Sequence, residues 1–236
     1  MDKAYEKGYH YFEDHHPWFI NRRRCVVSLL KNLSRSSRVL DIGCAGGEMI
    51  LELHAAGFDN CIGIDTSPDA ITTCNLKGLH GAYQMDGSSP DLPRESFDII
   101  IASDVLEHIS DDIRALTQWH RLLAPGGTLI CFVPAFPFLW SEFDKLNHHF
   151  RRYKRNELIS RCTQAGFRIA RASYWNCLLL LPVLLNHLCS RSHNRLVNVS
   201  PALSGIVNAV FKIENTLLRI TPFPFGLSIF VVAKKE

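Results

Sequence analysis

Residues 38–47 read Arg-Val-Leu-Asp-Ile-Gly-Cys-Ala-Gly-Gly. A short apolar run, Val39-Leu40-Asp41-Ile42, passes straight into Gly43-Cys44-Ala45-Gly46-Gly47. Small residues let the backbone turn sharply and let a ligand lie against the main chain. A second apolar run ends Gly63-Ile64-Asp65-Thr66. Asp65 stands about twenty residues beyond the turn, the spacing at which a carboxylate takes both ribose hydroxyls of an adenosine ligand. Charge-assisted hydrogen bonds of that kind are worth roughly 1.5–3 kcal/mol each.

Such residues need a scaffold that brings strand ends together. Strand-like runs fall at 38–42, 60–64, 81–85, 97–102 and 127–133, with helix-like segments at 47–56, 68–77 and 111–123. Short apolar strands alternating with helices predict a parallel sheet covered on both faces. Ligands of such sheets bind at the carboxyl ends of the strands, and the 43–47 turn is the first such place. A helix is expected from near Pro17, where Val26, Leu29, Leu30 and Leu33 recur at helical spacing. Segment 134–154 is aromatic and basic and reads as a loop or cap. Lys154 to Ala165 reads as a helix stopped by Gly166, with strands at 167–174 and 227–234. The fifty or so residues between those strands are too many for a hairpin loop and read as a mostly helical insertion. The expected plan is one domain: 1–36 an N-terminal cap and helix, 37–134 a cofactor-binding core, 135–226 an acceptor-site cap and insertion, 227–236 the last strand.

Asp41 through Gly47 resembles motif I of the class I methyltransferases, usually Asp-x-Gly-x-Gly-x-Gly, and the likeness continues to about residue 133. Asp65 matches the family's ribose-binding acid, and Asp86-Gly87 the pair beside the adenine amino group. Ser103-Asp104-Val105-Leu106-Glu107-His108 matches the segment bordering the methionine part of the cofactor and the substrate. Leu123-Ala124-Pro125-Gly126-Gly127 matches the turn before strand five. The resemblance, with a bacterial type 11-like subgroup in view, implies a seven-stranded α/β Rossmann-like sheet with the last strand antiparallel. It implies S-adenosylmethionine as cofactor and S-adenosylhomocysteine as product. The implied cofactor residues are Asp41, Gly43, Cys44, Ala45, Gly47, Asp65, Thr66, Asp86, Gly87 and Ser103, with Tyr11 from an N-terminal lid. The family's middle glycine is Ala45 here, which adds one methyl. A nicotinamide-binding domain is the rival. Its Gly-x-Gly-x-x-Gly fingerprint is longer than the Gly43, Ala45, Gly47 spacing, and it does not predict Asp86-Gly87 or the Pro-Gly-Gly turn.

Transfer from a sulfonium is an in-line displacement, so alignment of the acceptor supplies much of the catalysis, about 7–11 kcal/mol. A base is needed only where the acceptor must lose a proton. His108 is one candidate; the competing reading is that it caps or packs the following helix. His149 is the other, in Asn147-His148-His149-Phe150-Arg151-Arg152-Tyr153, which resembles a Gly-His-Tyr-Arg-Arg-Tyr segment of the bacterial subgroup. His148, Arg151, Arg152 and Tyr153 are the acceptor-binding candidates, against a solvated basic loop packed on the sheet. Among the N-terminal aromatics Tyr11, Trp18 and Phe19 are lid candidates, with core packing the alternative for the last two. The nearby histidines lack ligand spacing and no metal is expected. Arg22-Arg23-Arg24 reads as a solvated helix face.

The insertion begins Tyr174-Trp175-Asn176 and continues through an apolar stretch to 189. A second helical pattern, 201–220, places Leu203, Ile206, Val207, Val210, Phe211, Leu217 and Leu218 on one face. Glu214 falls on that face, at its edge or in a pocket wall. Covering the acceptor pocket, forming a homodimer, and lying on a membrane surface are the three roles considered.

The bulk properties agree with a globular enzyme. Of 236 residues 47% are hydrophobic and 21% charged, and the net charge is +3, which disfavours a general nucleic-acid binder. Eight cysteines, none in a CxxC pair, read as free thiols of the cytoplasm. The expected function is methyl transfer to oxygen or nitrogen of a small, bulky or lipid-like molecule. A non-catalytic cofactor-binding scaffold and a protein or RNA methyltransferase are the alternatives.

Overall fold

The computed structural model describes residues 14–181, 184 and 201–236. Tyr11 and most of the apolar stretch before residue 189 therefore lie outside the described residues. Seven strands form one sheet: β1 (Val39–Ile42), β2 (Cys61–Asp65), β3 (Ala82–Gln84), β4 (Phe97–Ser103), β5 (Leu123–Pro134), β6 (Arg168–Trp175) and β7 (Ser228–Lys234). Their order is β3-β2-β1-β4-β5-β7-β6. β7 slides between β5 and β6 and is antiparallel to both.

The strands are continuous apolar runs because both faces are covered. All four residues of β1 are buried, and so is the centre of β4 from Ile99 to Ala102. Leu40, Ile42, Ile100 and Leu129 point into one core layer; Val39, Ile99, Ile101 and Ile130 point into the other. Alternation along a strand sends neighbours to opposite faces, so each strand serves both layers. The sequence pattern placed Leu123–Gly127 in a turn ahead of the fifth strand, but β5 absorbs it. Leu123 pairs with Phe97, and the register then shifts so that Thr128 pairs with Ile99. The intervening residues bulge, Gly126 at φ +77°, and its N–H bonds the Lys235 carbonyl at 2.9 Å.

The main helices among the described residues are α1 (Pro17–Leu29), α2 (Glu48–Ala55), α3 (Pro68–Leu76), α4 (Asp112–Leu122), α5 (Glu142–Leu146), α6 (Arg155–Gln164) and α7 (Pro201–Leu218). Two begin at predictable signals: Pro17 behind His16, whose side chain accepts from Trp18 N–H, and Pro68 behind Ser67, whose hydroxyl accepts from Ala70 N–H.

The structure changes two expectations about faces. Arg22 and Arg23 are buried and only Arg24 is exposed, so the arginine run is not a solvated face. Trp18 packs edge-on against Trp175, and Phe19 is buried beneath the Arg22 guanidinium, so both serve the core. The apolar face assigned to 201–220 also divides. Phe211, Glu214 and Leu218 are buried, whereas Leu203, Ile206 and Leu217 are exposed with Ile213 and Ile220. Buried polar Glu214 sits on the inward stripe because it accepts backbone N–H groups from Asn176, Cys177 and Leu178 where the chain leaves β6. It is fully buried, not at the edge of the stripe, and it does not line the cavity at the strand ends.

Candidate active site

The carboxyl ends of β1, β2 and β4 open into a cavity of about 560 Å³. Its floor is the first turn. Gly43 holds φ +71°, and a Cβ there would meet Val105 Cγ2 at 2.4 Å. The N–H groups of Gly43 and Cys44 both bond the Ile64 carbonyl, at 2.8 and 3.0 Å, which clips the turn to the end of β2. Ala45 adopts φ +45°, and its N–H bonds Asp65 Oδ2 at 3.0 Å. Asp65 Oδ1 accepts the Ser67 N–H at 2.9 Å. A carboxylate has about four acceptor sites, so Asp65 braces the turn and keeps lone pairs for a ligand. Asp86 accepts the Ser88 N–H and hydroxyl at 2.8 and 2.7 Å, a local turn that fixes it beside the cavity.

Gly43, Ala45, Asp65, Thr66, Asp86, Gly87 and Ser103 all line this cavity. Asp41, Cys44 and Gly47 do not. Asp41 is buried in β1, Cys44 packs under Gly63, and Gly47 at φ +85° leads into α2. Two carboxylates at strand ends and a glycine turn before a helix suit a ligand with ribose hydroxyls, an adenine amino group and an amino-acid tail. The volume falls in the usual range for cofactor sites. The donor set thus fits S-adenosylmethionine.

The opposite wall holds the titratable groups. His108, in a short 3-10 turn after β4, lines the cavity with His148, Asn147 and Phe150. Burial, then the neighbouring His149, pull the His108 imidazole down to about 4 and keep it neutral, while it bonds the Asn147 carbonyl. Glu107 is fully buried, and among the described residues neither carboxylate oxygen has a hydrogen-bond partner. Desolvation pushes it up to about 8. His149 lies behind His108, the rings at right angles with centroids 4.5 Å apart. One ligand-type atom from each of Glu107, His108 and His149 falls within 4.8 Å of the others. Side chains of these types also bind metal ions, although the sequence shows no ligand spacing for one.

The other acceptor candidates are occupied by the protein itself. Arg151 pairs with Asp112 at 2.8 Å, and Arg152 with Asp144 at 2.8 Å. The Tyr153 hydroxyl bonds Asp112 at 2.8 Å inside the core; burial, then the Asp112 charge, push the phenol far above its usual range. These three side chains fasten segment 147–153 to α4 and α5, and His148 alone among the acceptor candidates reaches the cavity.

Sequence reasoning read Arg22 as solvated, gave Asp104 and Glu107 no individual role within the Ser103–His108 segment, and did not single out Asp144. Arg22 lines the cavity and pairs with Asp104. Nothing in an arginine run announces burial. Asp144 had a usable signal: Ser141-x-x-Asp144 is a capping-box pattern, and both reciprocal bonds form.

This sheet order, with β7 reversed and the site at the β1–β4 switch, is that of a class I methyltransferase, an enzyme class whose cofactor is S-adenosylmethionine. The chain belongs to the methyltransferase domain family, whose profile matches residues 18–172. It is 33% identical over 99 residues to a ubiquinone biosynthesis O-methyltransferase of Cereibacter sphaeroides, covering 40% of each protein. The chain thus spans about two fifths of the length of that curated relative. A S-adenosylmethionine-dependent methyltransferase structure from Mesorhizobium loti superposes with a TM-score of 0.62 at 16% identity, over 94% of this chain and 99% of that one. The [4+2]-cyclase SpnF has the same fold, with a TM-score of 0.62 at 21% identity over 91% of this chain and 81% of SpnF.

Proposed function

We propose that the protein transfers the methyl group of S-adenosylmethionine to an oxygen of a small acceptor with substantial apolar surface. The observation that carries this reading is His108: a neutral imidazole on the cavity wall, in the segment that follows β4. The cofactor supplies an activated methyl group. A hydroxyl acceptor must still lose its proton, and a base that stays unprotonated at neutral pH suits that task. Val105, Ile109 and Phe150 give this part of the cavity an apolar wall for the acceptor's body. The relative's printed activity, an O-methylation, supports oxygen over nitrogen.

The test is turnover with labelled S-adenosylmethionine against a panel of phenols and catechols, with amines in parallel. S-adenosylhomocysteine formation with hydroxyl acceptors is expected. Methylation of amines alone would move the acceptor atom to nitrogen. Tight S-adenosylhomocysteine binding with no turnover on any small molecule would leave the scaffold or macromolecular alternatives. In thermal shift, S-adenosylhomocysteine should stabilise the protein and NAD should not.

A cytoplasmic location is part of this reading, because eight cysteines with no CxxC pair suit a reducing compartment. Among the described residues no helix is long and apolar enough to cross a membrane. A lipid-like acceptor would be met at a membrane surface, and Leu203, Ile206, Ile213 and Leu217 of α7, with Ile220 in the turn after it, give an exposed apolar stripe for peripheral contact. Failure to co-sediment with anionic vesicles would remove the membrane contact and leave that stripe to a homodimer.

A further inference from the structure

Asp144 sits in α5, away from the cavity, and is fully buried. Its carboxylate accepts four bonds. Oδ1 takes His149 Nδ1 at 3.0 Å and Arg152 Nε at 2.8 Å. Oδ2 takes the Ser141 N–H at 2.8 Å and the Ser141 hydroxyl at 3.0 Å. Four bonds fill the acceptor capacity of a carboxylate. Burial alone would raise its pKa, but the bonds from His149, Arg152 and the Ser141 backbone hold it well below the usual carboxylate range.

An ionised Asp144 dictates the state of its neighbour. Nδ1 of His149 must carry the hydrogen in that bond, so neutral His149 has Nε2 as a bare lone pair. The ring cannot turn over without breaking the bond, and it stands at right angles against His108, which does reach the cavity. The groups facing His149 are Asp144 from α5, Arg152 from its own segment, and Glu107 and His108 from the turn after β4; His148 also acts on His108.

We infer that Asp144 is a positioning residue which, by fixing the ring and tautomer of His149, sets the orientation and basicity of His108. This rests on the reading of His108 as the base. In the reaction the acceptor O–H bond breaks and its proton passes to His108. The oxygen takes the methyl group as the carbon–sulfur bond breaks, and the sulfonium becomes a neutral sulfide. The positive charge then resides on His108, whose ring is held in place by the perpendicular ring of His149, itself anchored by the Asp144 carboxylate. After product release the proton leaves to solvent. A mere loop staple would need the Ser141 and Arg152 bonds but would leave His108 indifferent to Asp144.

The test is nitrogen NMR of histidine-labelled full-length protein, treated with chelator and saturated with S-adenosylhomocysteine. His108→Gln and His149→Gln spectra provide the assignments. The expected wild-type signature is His149 with hydrogen on Nδ1 and a bare Nε2. Asp144→Asn should mix the tautomers and lower the His108 pKa. Arg152→Gln, which strips the counter-charge from Asp144, should raise the His108 pKa by about 0.5–1.5 units. Adding His149→Gln should abolish most of either shift. A wild-type His149 with hydrogen on Nε2 overturns the inference. So does a His108 titration unmoved by Arg152→Gln, or a shift that survives intact without His149. Arg152→Gln decides the matter even if Asp144→Asn does not fold. None of these readings needs an acceptor, so their failure is distinct from failure of the methylation assay.

Discussion

Arg22 of α1 and Asp104, the residue after β4, form an ion pair in the cavity wall, with side chains 7% and 23% exposed. The pair ties the N-terminal helix over the carboxyl edge of the sheet. Asp104 itself holds φ +55°, a left-handed position that the surrounding contacts must maintain. Arg22→Met leaves the Asp104 carboxylate half-buried without its guanidinium. The expected loss is about 1.5–3 kcal/mol of stability in urea denaturation. Weaker S-adenosylhomocysteine binding by calorimetry should accompany it, because Arg22 shapes the cavity. Arg22→Lys should restore only part of both, since an ammonium on a longer flexible stem does not reproduce the planar contact over Phe19. Unchanged stability and affinity in Arg22→Met would remove α1 from the site.

Asp65 braces the turn and faces the cavity, where the proposed cofactor role places a ribose. It holds the Ala45 and Ser67 N–H groups and keeps acceptor capacity toward the cavity. Asp65→Ala should weaken S-adenosylhomocysteine binding at least about tenfold. It should also lower the thermal midpoint without ligand, because two backbone donors lose their partner. Asp65→Asn keeps one acceptor oxygen and should fall between. If the alanine variant loses affinity but no stability, the bracing role is wrong; if it loses stability alone, the ribose role is.

Ala45 occupies the place of the family's middle glycine and adopts φ +45°. A left-handed alanine costs about 1–2 kcal/mol relative to a residue that prefers the region. Ala45→Gly removes that cost but adds unfolded-state entropy of about 0.4–1 kcal/mol. The net change should lie between zero and about 1.6 kcal/mol of stabilisation, with S-adenosylhomocysteine affinity kept. Ala45→Val should be destabilising, because a β-branched residue tolerates positive φ poorly. A glycine variant that binds less tightly would mean the alanine methyl contributes a contact of its own.

Much of the strand-end side of the cavity was legible because its signals are local. A glycine turn, an acid at the end of the next strand and alternating apolar runs each occupy a few residues. The wall opposite was not legible, because its partners come together only in the fold. Arg22 meets Asp104 across 82 positions, and Glu214 meets Asn176 across 38. The helical period correctly indicated a helix over α7 but not which stripe faces inward. Phe211, Glu214 and Leu218 go in because a carboxylate is needed to hold the backbone leaving β6, a demand invisible in an apolar count. Likewise Arg151, Arg152 and Tyr153 looked like ligand-binding groups by type. Buried Asp112 and Asp144 claim them, and nothing in the spacing from 112 or 144 to 153 reports that.

Glu107 and His108 are neighbours in sequence with opposite linkage to pH. Burial raises Glu107 from 4.5 to about 8, so the folded protein binds the extra proton between those values. Its contribution is fully present below about 4.5 and is lost as pH rises toward 8. His108 is lowered from 6.5 to about 4, so its contribution is lost as pH falls through that window. The two slopes cancel between about 4.5 and 6.5, and the Glu107 loss stands alone from 6.5 to 8. Glu107→Gln, which cannot ionise, should therefore be more stable than the wild type at pH 8, on the order of a few kcal/mol, with a much smaller gain at pH 5. Turnover should stay level through neutrality and fall only as pH approaches 4, where His108 gains its proton. Thermal unfolding of both proteins across pH 4–8 checks the first expectation, and initial rates over the same range check the second. A glutamine variant less stable than the wild type at pH 8 would mean that the Glu107 charge has a partner, water or cation, and that the carboxylate is not stranded.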